Sequence, residues 1–385
     1  MRAGKNCHHW FRDRAVRSLR MRPLGQRWQI VFFAVAVIAL GVSAGTSFIS
    51  ASGTVTVQTI WQHNPISWTQ LTCSGTCPAA EAGAAMADDP GDGFVVLQDT
   101  SGDTWTYLDS VWTSLGSLTG APGAQKGGMM IFAPTPGGGT GDGGQILYKS
   151  ALGTTASDFA FLFDKSYTGT ATWADIYCNT RTNPDCYLGQ VPGANVMYDP
   201  VGVTGDTFGG MIVFTTVRGS WITEPGFAPV EWSSTTGPAT GMSGASMAWD
   251  SHDGYGVFFD TSGNTWKLTP GGGWTEIIPV SSCTPTTCPS PRSGAVMVYY
   301  GACGEIILYG GTTNGAGSGA LSDTWKFTGG SWQELNPVTS PPARYDATGT
   351  YDSEDGYILI FGGYSSSGTA LSDWWSLSPS ISGCP

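Results

Sequence analysis

The 385-residue chain predicts an all-β fold of repeated four-strand units, and three observations carry that expectation. Six times a tryptophan follows a glycine-rich or polar stretch and opens a short apolar run: Trp68, Trp112, Trp173, Trp232, Trp274 and Trp332. The gaps between them are 44, 61, 59, 42 and 58 residues, a period that belongs to stacked or radially arranged units rather than to one mixed core. A second aromatic series, Trp105, Phe159, Trp221, Trp266, Trp325 and Trp374, falls on the preceding strand of each unit. The 56 glycines, set among many Ser, Thr, Trp and Tyr, favour short strands and tight turns. No long stretch rich in Ala, Leu, Glu and Lys offers a large helical domain.

The elements begin with a targeting segment. Residues 1–27 hold eight of the 17 basic residues and one acid, Asp13, and form a basic stub. Residues 28–49 are apolar and uncharged, so the positive-inside rule leaves the stub in the cytoplasm and sends residues 50–385 outside. Two readings compete. A cleaved signal peptide has a small-residue site at Val42-Ser43-Ala44, and an uncleaved signal anchor gains length from Phe48 and Ile49. The long basic stub favours the anchor. Beyond residue 27 the chain has nine basic and 28 acidic residues, a net charge of −19, which repels nucleic acid and anionic headgroups.

Cysteine usage agrees with export. Cys7 lies in the stub, and eight others follow the apolar segment. An even count in an exported domain implies disulfides, with Cys73/Cys77, Cys178/Cys186 and Cys283/Cys288 as close pairs and Cys303 with Cys384 as the remainder. Zinc is the rival at such spacing, but export and the lack of nearby histidine argue against it.

The last two units are the clearest. Residues 289–335 and 341–377 share an arginine (Arg292, Arg344), an apolar strand ending in diglycine (Gly310-Gly311, Gly362-Gly363) and a Ser-Asp-x-Trp turn at Asp323 and Asp373. On these residues, and on the later Trp332, the chain resembles the Kelch-repeat family. The resemblance implies a β-propeller in which each repeat is one four-stranded blade. Two earlier units replace the diglycine with Asp99-Thr100 and Asp260-Thr261 in the turns DTSGDTW and DTSGNTW, and two match by period alone. Six third strands are countable, and the sixth unit ends before a fourth. The strand near 66–71, around Trp68, completes it, giving a six-bladed propeller closed by an N-terminal outer strand.

On that ring the three close cysteine pairs fall at every second blade junction of one face. Cys303 and Cys384 fall on the opposite face, where a bond would pin the C-terminus. Staples of this size either stiffen a preorganised binding surface or resist proteolysis.

Chemistry is sparse. The exported part holds only His63 and His252, in different units, so a multi-histidine metal site is excluded on inventory. The copper chemistry of Kelch relatives of the galactose-oxidase type needs histidines and a tyrosine–cysteine cofactor, and is not carried over. No metal, other cofactor or catalytic residue is expected. The acidic turns DDPGDG, WDSHDG and YDSEDG lack full calcium-loop spacing and suit ordinary hairpins. Glu276, Glu305 and Glu334 fall on outer or second strands, poor places for a general base. Asp323 and Asp373 are expected to cap turns through the backbone. Arg292 and Arg344 open the inner strands, where they either face an anionic ligand or bond loop carbonyls between blades.

The expected function is an exported, membrane-anchored or secreted binding or adhesion module for a surface glycan or protein. Its other contacts are the membrane, through the N-terminal helix, and no nucleic acid. The alternatives are a carbohydrate-active enzyme using the central channel and a structural cell-envelope component.

Overall fold

The computed structural model describes residues 66–134 apart from 74 and 122, strands and a short stretch between 144 and 238, and residues 243–378 apart from 270–272 and 315–318. The chain divides into two units, Met1–His63 and Asn64–Pro385, and every described residue belongs to the second. The expected basic stub and apolar segment lie outside the described residues. Among those described, no helix is long and apolar enough to cross a membrane.

Short alternating strands joined by glycine turns build six four-stranded antiparallel sheets, numbered here in chain order. Sheet 1 joins Ala85–Asp89, Phe94–Gln98, Thr104–Leu108 and Val111–Gly116. Sheet 2 joins Met129–Pro134, Gly144–Lys149, Phe159–Phe163 and Trp173–Asp175. Sheet 3 joins Asn195–Asp199, Gly210–Thr215, Gly219–Thr223 and Val230–Trp232. Sheet 4 joins Ser246–Asp250, Tyr255–Phe259, Thr265–Thr269 and Gly273–Ile278. Sheet 5 joins Val296–Tyr300, Glu305–Tyr309, Thr324–Thr328 and Ser331–Leu335. Sheet 6 joins Thr348–Asp352, Tyr357–Phe361, Trp374–Leu377 and, from the other end of the chain, Trp68–Leu71. The first strands pack side by side in chain order, and that of sheet 6 packs on that of sheet 1. The result is an all-β, propeller-like architecture.

The closing strand is held by more than its ladder. Trp68 pairs with Leu377 in register and is buried, with its ring centroid 5.2 Å from that of Tyr309. Its indole N–H donates to Thr324 Oγ1 at 3.0 Å, which ties sheet 6 to sheet 5. Trp332 repeats the tie one sheet earlier, donating to Thr265 Oγ1 at 2.8 Å. In both cases a fourth-strand tryptophan reaches the threonine that opens the third strand of the preceding sheet. Sheet 6 carries Trp374 in that threonine's place, so Trp112 of sheet 1 stacks on Trp374 at 4.0 Å instead. Phe361 stacks against Trp374 at 3.7 Å, and Met86, Leu97 and Leu359 complete the apolar layer between sheets 6 and 1.

This corrects one member of the aromatic series. The residue that matches Trp325 is Trp375, paired with Ile360 as Trp325 is with Leu308. A doubled tryptophan hides the one-residue offset, which the strand register and the indole N–H bond to Asp373 both resolve.

Candidate binding face

Antiparallel order puts two kinds of connection on one rim: those between sheets and the loops from second to third strand. The stapled loops lie there. Cys73 bonds Cys77 and Cys283 bonds Cys288, with Cα atoms 6.3 and 5.4 Å apart. Cys303, in the first turn of sheet 5 on the opposite rim, is also disulfide-bonded. Cys178, Cys186 and Cys384 lie outside the described residues.

Where the first strands of sheets 1, 2, 4, 5 and 6 begin on the stapled rim, one residue adopts a left-handed conformation, and backbone bonds link these residues from sheet to sheet. Gly294 donates to Gly244 at 2.7 Å, Asp346 to Gly294 at 2.9 Å, Gly83 to Asp346 at 3.0 Å and Gly127 to Gly83 at 2.8 Å. Their φ angles run from 52° to 83°, which explains glycine at four of the five positions. The girdle follows the first strands around a cavity of about 230 Å³. Main chain and side chains such as Ala85, Met86, Met247, Ala295 and Ala347 line it, and no ionisable side chain is among its lining.

Arg292 and Arg344 do not reach that cavity. They are 3% and 1% exposed, and they lie behind the girdle. Arg292 engages all five of its donors within the protein: Nε to the Ser290 carbonyl, Nη1 to the Gly310 carbonyl and Asp323, Nη2 to Ser290 Oγ and Asp323. Arg344 repeats the pattern on the Pro342 and Gly362 carbonyls and, through both Nη atoms, on Asp373. The guanidiniums therefore neither face an anionic ligand nor bond carbonyls between blades: their partners are carbonyls of their own sheet and its entry loop, with a bidentate ion pair added.

The aspartates differ from expectation too. Asp323 and Asp373 take the guanidinium and the indole N–H of Trp325 or Trp375, at 2.7 and 2.6 Å, as their side-chain partners. Burial opposes ionisation of Asp373, but the bonds from Arg344 and Trp375 outweigh it and hold the carboxyl below its ordinary range. Turn capping falls to other residues. Asp99 and Asp260 accept two turn amides each and still receive the indole of Trp105 or Trp266 at 2.9 Å. The three acidic turns are capped likewise, by Asp89, Asp250 and Asp352. Glu305 pairs with Lys326 at 3.5 Å.

What the stapled rim presents is aromatic. The short ribbon Arg344–Tyr345 with Tyr364–Ser365 places two half-buried tyrosines side by side, ring centroids 5.4 Å apart. Exposed Lys126 donates to the Tyr364 hydroxyl at 3.1 Å, which pushes the ammonium pKa up. Glu81 lies beneath. It occupies the place of Arg292 and Arg344, is 8% exposed, and accepts the Thr100 amide at 2.7 Å. Burial pushes its pKa up. None of these four residues stood out in the sequence. Glu81 was findable by aligning EAGAAMA with RSGAVMV, but the tyrosines sit in loops with no repeat signal.

No family model and no curated protein matches the chain. Solved structures do. A structural genomics protein of unknown function from Bacteroides thetaiotaomicron is similar at TM-score 0.50 and 11% identity, over 85% of this chain and 80% of that one. A structure of YjhT is similar at TM-score 0.44 and 15% identity, over 77% and 95%. A putative oxidoreductase (glucose dehydrogenase) from Thermus thermophilus is similar at TM-score 0.44 and 11% identity, over 81% and 99%. The first of these likenesses is consistent with the β-propeller-like architecture and speaks to fold alone.

Proposed function

We propose that the chain is an exported, Kelch-type propeller of six blades, anchored or secreted, that binds a surface glycan or a protein through its stapled rim. One observation carries this reading: Tyr345, Tyr364 and Lys126 form an aromatic, cationic platform on the stapled rim. Tyrosine faces pack against the C–H face of a sugar or an apolar anchor, while their hydroxyls and the ammonium supply directional donors. The disulfide loops and the backbone girdle hold the rim in one shape, which lowers the ordering cost of binding. The chain's own charge, net −19 beyond residue 27, keeps it off nucleic acid and anionic lipid.

The test is a glycan array probed with the oxidised full-length chain. Binding to a defined glycan class, weakened about tenfold or more by Tyr345→Ala with Tyr364→Ala and unchanged by Lys267→Ala on sheet 4, supports the reading. Glycan binding that ignores the tyrosine change sinks the site, and silence across the array moves the ligand to protein.

A further inference from the structure

The seam between sheets 6 and 1 differs from its neighbours at both ends of one strand. At the stapled end, Glu81 stands where sheets 5 and 6 carry Arg292 and Arg344. Its Oε1 is buried without a partner. At the other end, sheets 5 and 6 carry Tyr299 and Tyr351, whose hydroxyls bond the backbone of the preceding sheet's first turn, at His252 and Ala302. Sheet 1 carries Asp88 there, bonded to Ser353 of sheet 6, with Oδ1 buried and unpartnered. The backbone across this seam is fully zipped. Glu81 donates to the Leu371 carbonyl, Gly363 to Glu81, Gly83 to Asp346, and the Asp88 amide to Thr350 Oγ1. Two carboxyls are thus locked into a closed interface where sheets 5 and 6 place a cation and a phenol.

We propose that this seam is an acid-closed clasp of the ring: protonation of Glu81 and Asp88 tightens it, and their ionisation as the medium turns neutral loosens it. A carboxylate held out of water with an unpaired oxygen is costly, whereas its protonated form is neutral and has a hydroxyl to donate. The surroundings point the same way. Facing Glu81 are Asp99 from the sheet 1 turn, Lys126 and Tyr364 from the rim, and the Arg344–Asp373 pair, which closes on itself. Lys126 is the one cation there without a carboxylate bond, and its nitrogen sits on Tyr364. Facing Asp88 are Asp89 on its own strand and Asp352 across the seam. Tyr351 lies beside it, and the two flanking turns add Asp92, Glu354 and Asp355. Glu354 reaches toward Gly93 across the seam. The described first strand of sheet 2, on the other side, carries no ionisable residue.

Burial pushes Asp88 up to about 7 and Asp352 up to about 6, and Glu81 upward as well. A carboxyl whose pKa is raised by folding binds its proton more tightly when folded. Its stabilisation is complete below the ordinary carboxylate range, near pH ~4, and is lost as pH rises through the folded value.

The experiment follows thermal unfolding of the full-length chain from pH 5 to 8.5, with amide exchange at matched intrinsic rates. The expected result is a Tm that falls by on the order of 5 °C across that range. Exchange at Gly83, Asp88 and Gly363, the cross-seam donors, should speed up in step. Glu81→Gln with Asp88→Asn, which mimics the protonated pair, should remove most of that slope, leaving the part due to Asp352, while Glu305→Gln on sheet 5 leaves the seam's exchange profile unchanged. A flat wild-type Tm, or a double variant with the wild-type slope, overturns the clasp. Exchange on the wild type alone decides the matter if the variants misfold: seam amides that do not respond to pH overturn it equally.

Discussion

The seam between sheets 5 and 6 and the seam between sheets 6 and 1 share one backbone and differ in their side-chain ties. In both, a left-handed residue donates to the preceding sheet's counterpart, and a diglycine amide donates to the next sheet: Gly311 to Arg344, and Gly363 to Glu81. At the first seam sheet 6 carries an arginine locked bidentately on an aspartate of the same sheet, and at the second sheet 1 carries a buried glutamic acid with an oxygen to spare. Their responses to pH are therefore opposite in sign. Asp373, depressed by Arg344, contributes stability above the ordinary carboxylate range and loses it in strong acid. Glu81 and Asp88, raised by burial, contribute most in mild acid. Backbone geometry closes the ring, and the side chains set the conditions under which each junction is strongest.

The largest expected effect breaks the first seam. Arg344→Ala removes four hydrogen bonds and leaves Asp373 half-buried and charged, with the Trp375 indole still donating to it. Loss of one partner from a buried ion pair costs about 3 kcal/mol or more, and urea unfolding of the full-length chain measures it. Asp373→Asn in the Arg344→Ala background should recover part of that loss, because it removes the unpaired charge. No recovery would mean that the carbonyl bonds, not the ion pair, hold the seam.

Legibility from sequence followed the same division. The repeat, the strand order and the closing strand at Trp68 were readable, because large aromatics and glycine turns recur at fixed offsets that only one kind of packing uses. The closing strand emerged from a count: a tryptophan with no sheet of its own, and a final unit one strand short. The role of Arg292 and Arg344 was legible only as two alternatives, neither of which holds. Sequence places an arginine at the head of an inner strand but does not say that an aspartate some thirty residues on will fold back to meet it. Tyr345, Tyr364 and Lys126 were illegible, since they are far apart in the chain and are brought together by a two-residue ribbon and a cross-sheet lysine contact. Glu81 and Asp88 carried a signal in the alignment, as departures from a repeated position, and departures are harder to weigh than matches.

A smaller effect sharpens the comparison by testing the shared backbone. Gly363 has φ of 90°, and a Cβ there would lie 2.8 Å from the Tyr345 carbonyl oxygen. Gly368, in the same loop, has φ of 75° with open space around it. Gly363→Ala should cost about 2 kcal/mol or more from strain and clash together, and Gly368→Ala about 1 from strain alone. Equal costs would show that the loop relaxes freely and that the diglycine contributes conformation but no close approach.

The smallest effect separates the doubled tryptophan. Trp375 donates to Asp373 inside the arginine network, whereas the indole N–H of Trp374 is buried without a partner and the ring works by stacking on Phe361 and Trp112. Phenylalanine removes a similar area at either position but a hydrogen bond at only one. Trp375→Phe should therefore cost about 1–2 kcal/mol more than Trp374→Phe, the worth of a bond to a charged acceptor. The two variants compared by urea midpoint at constant m-value give that difference directly. If Trp374→Phe proves the more costly, stacking across the seam of sheets 6 and 1 outweighs the carboxylate bond, and that seam is held by its apolar layer more than by any polar tie at its ends.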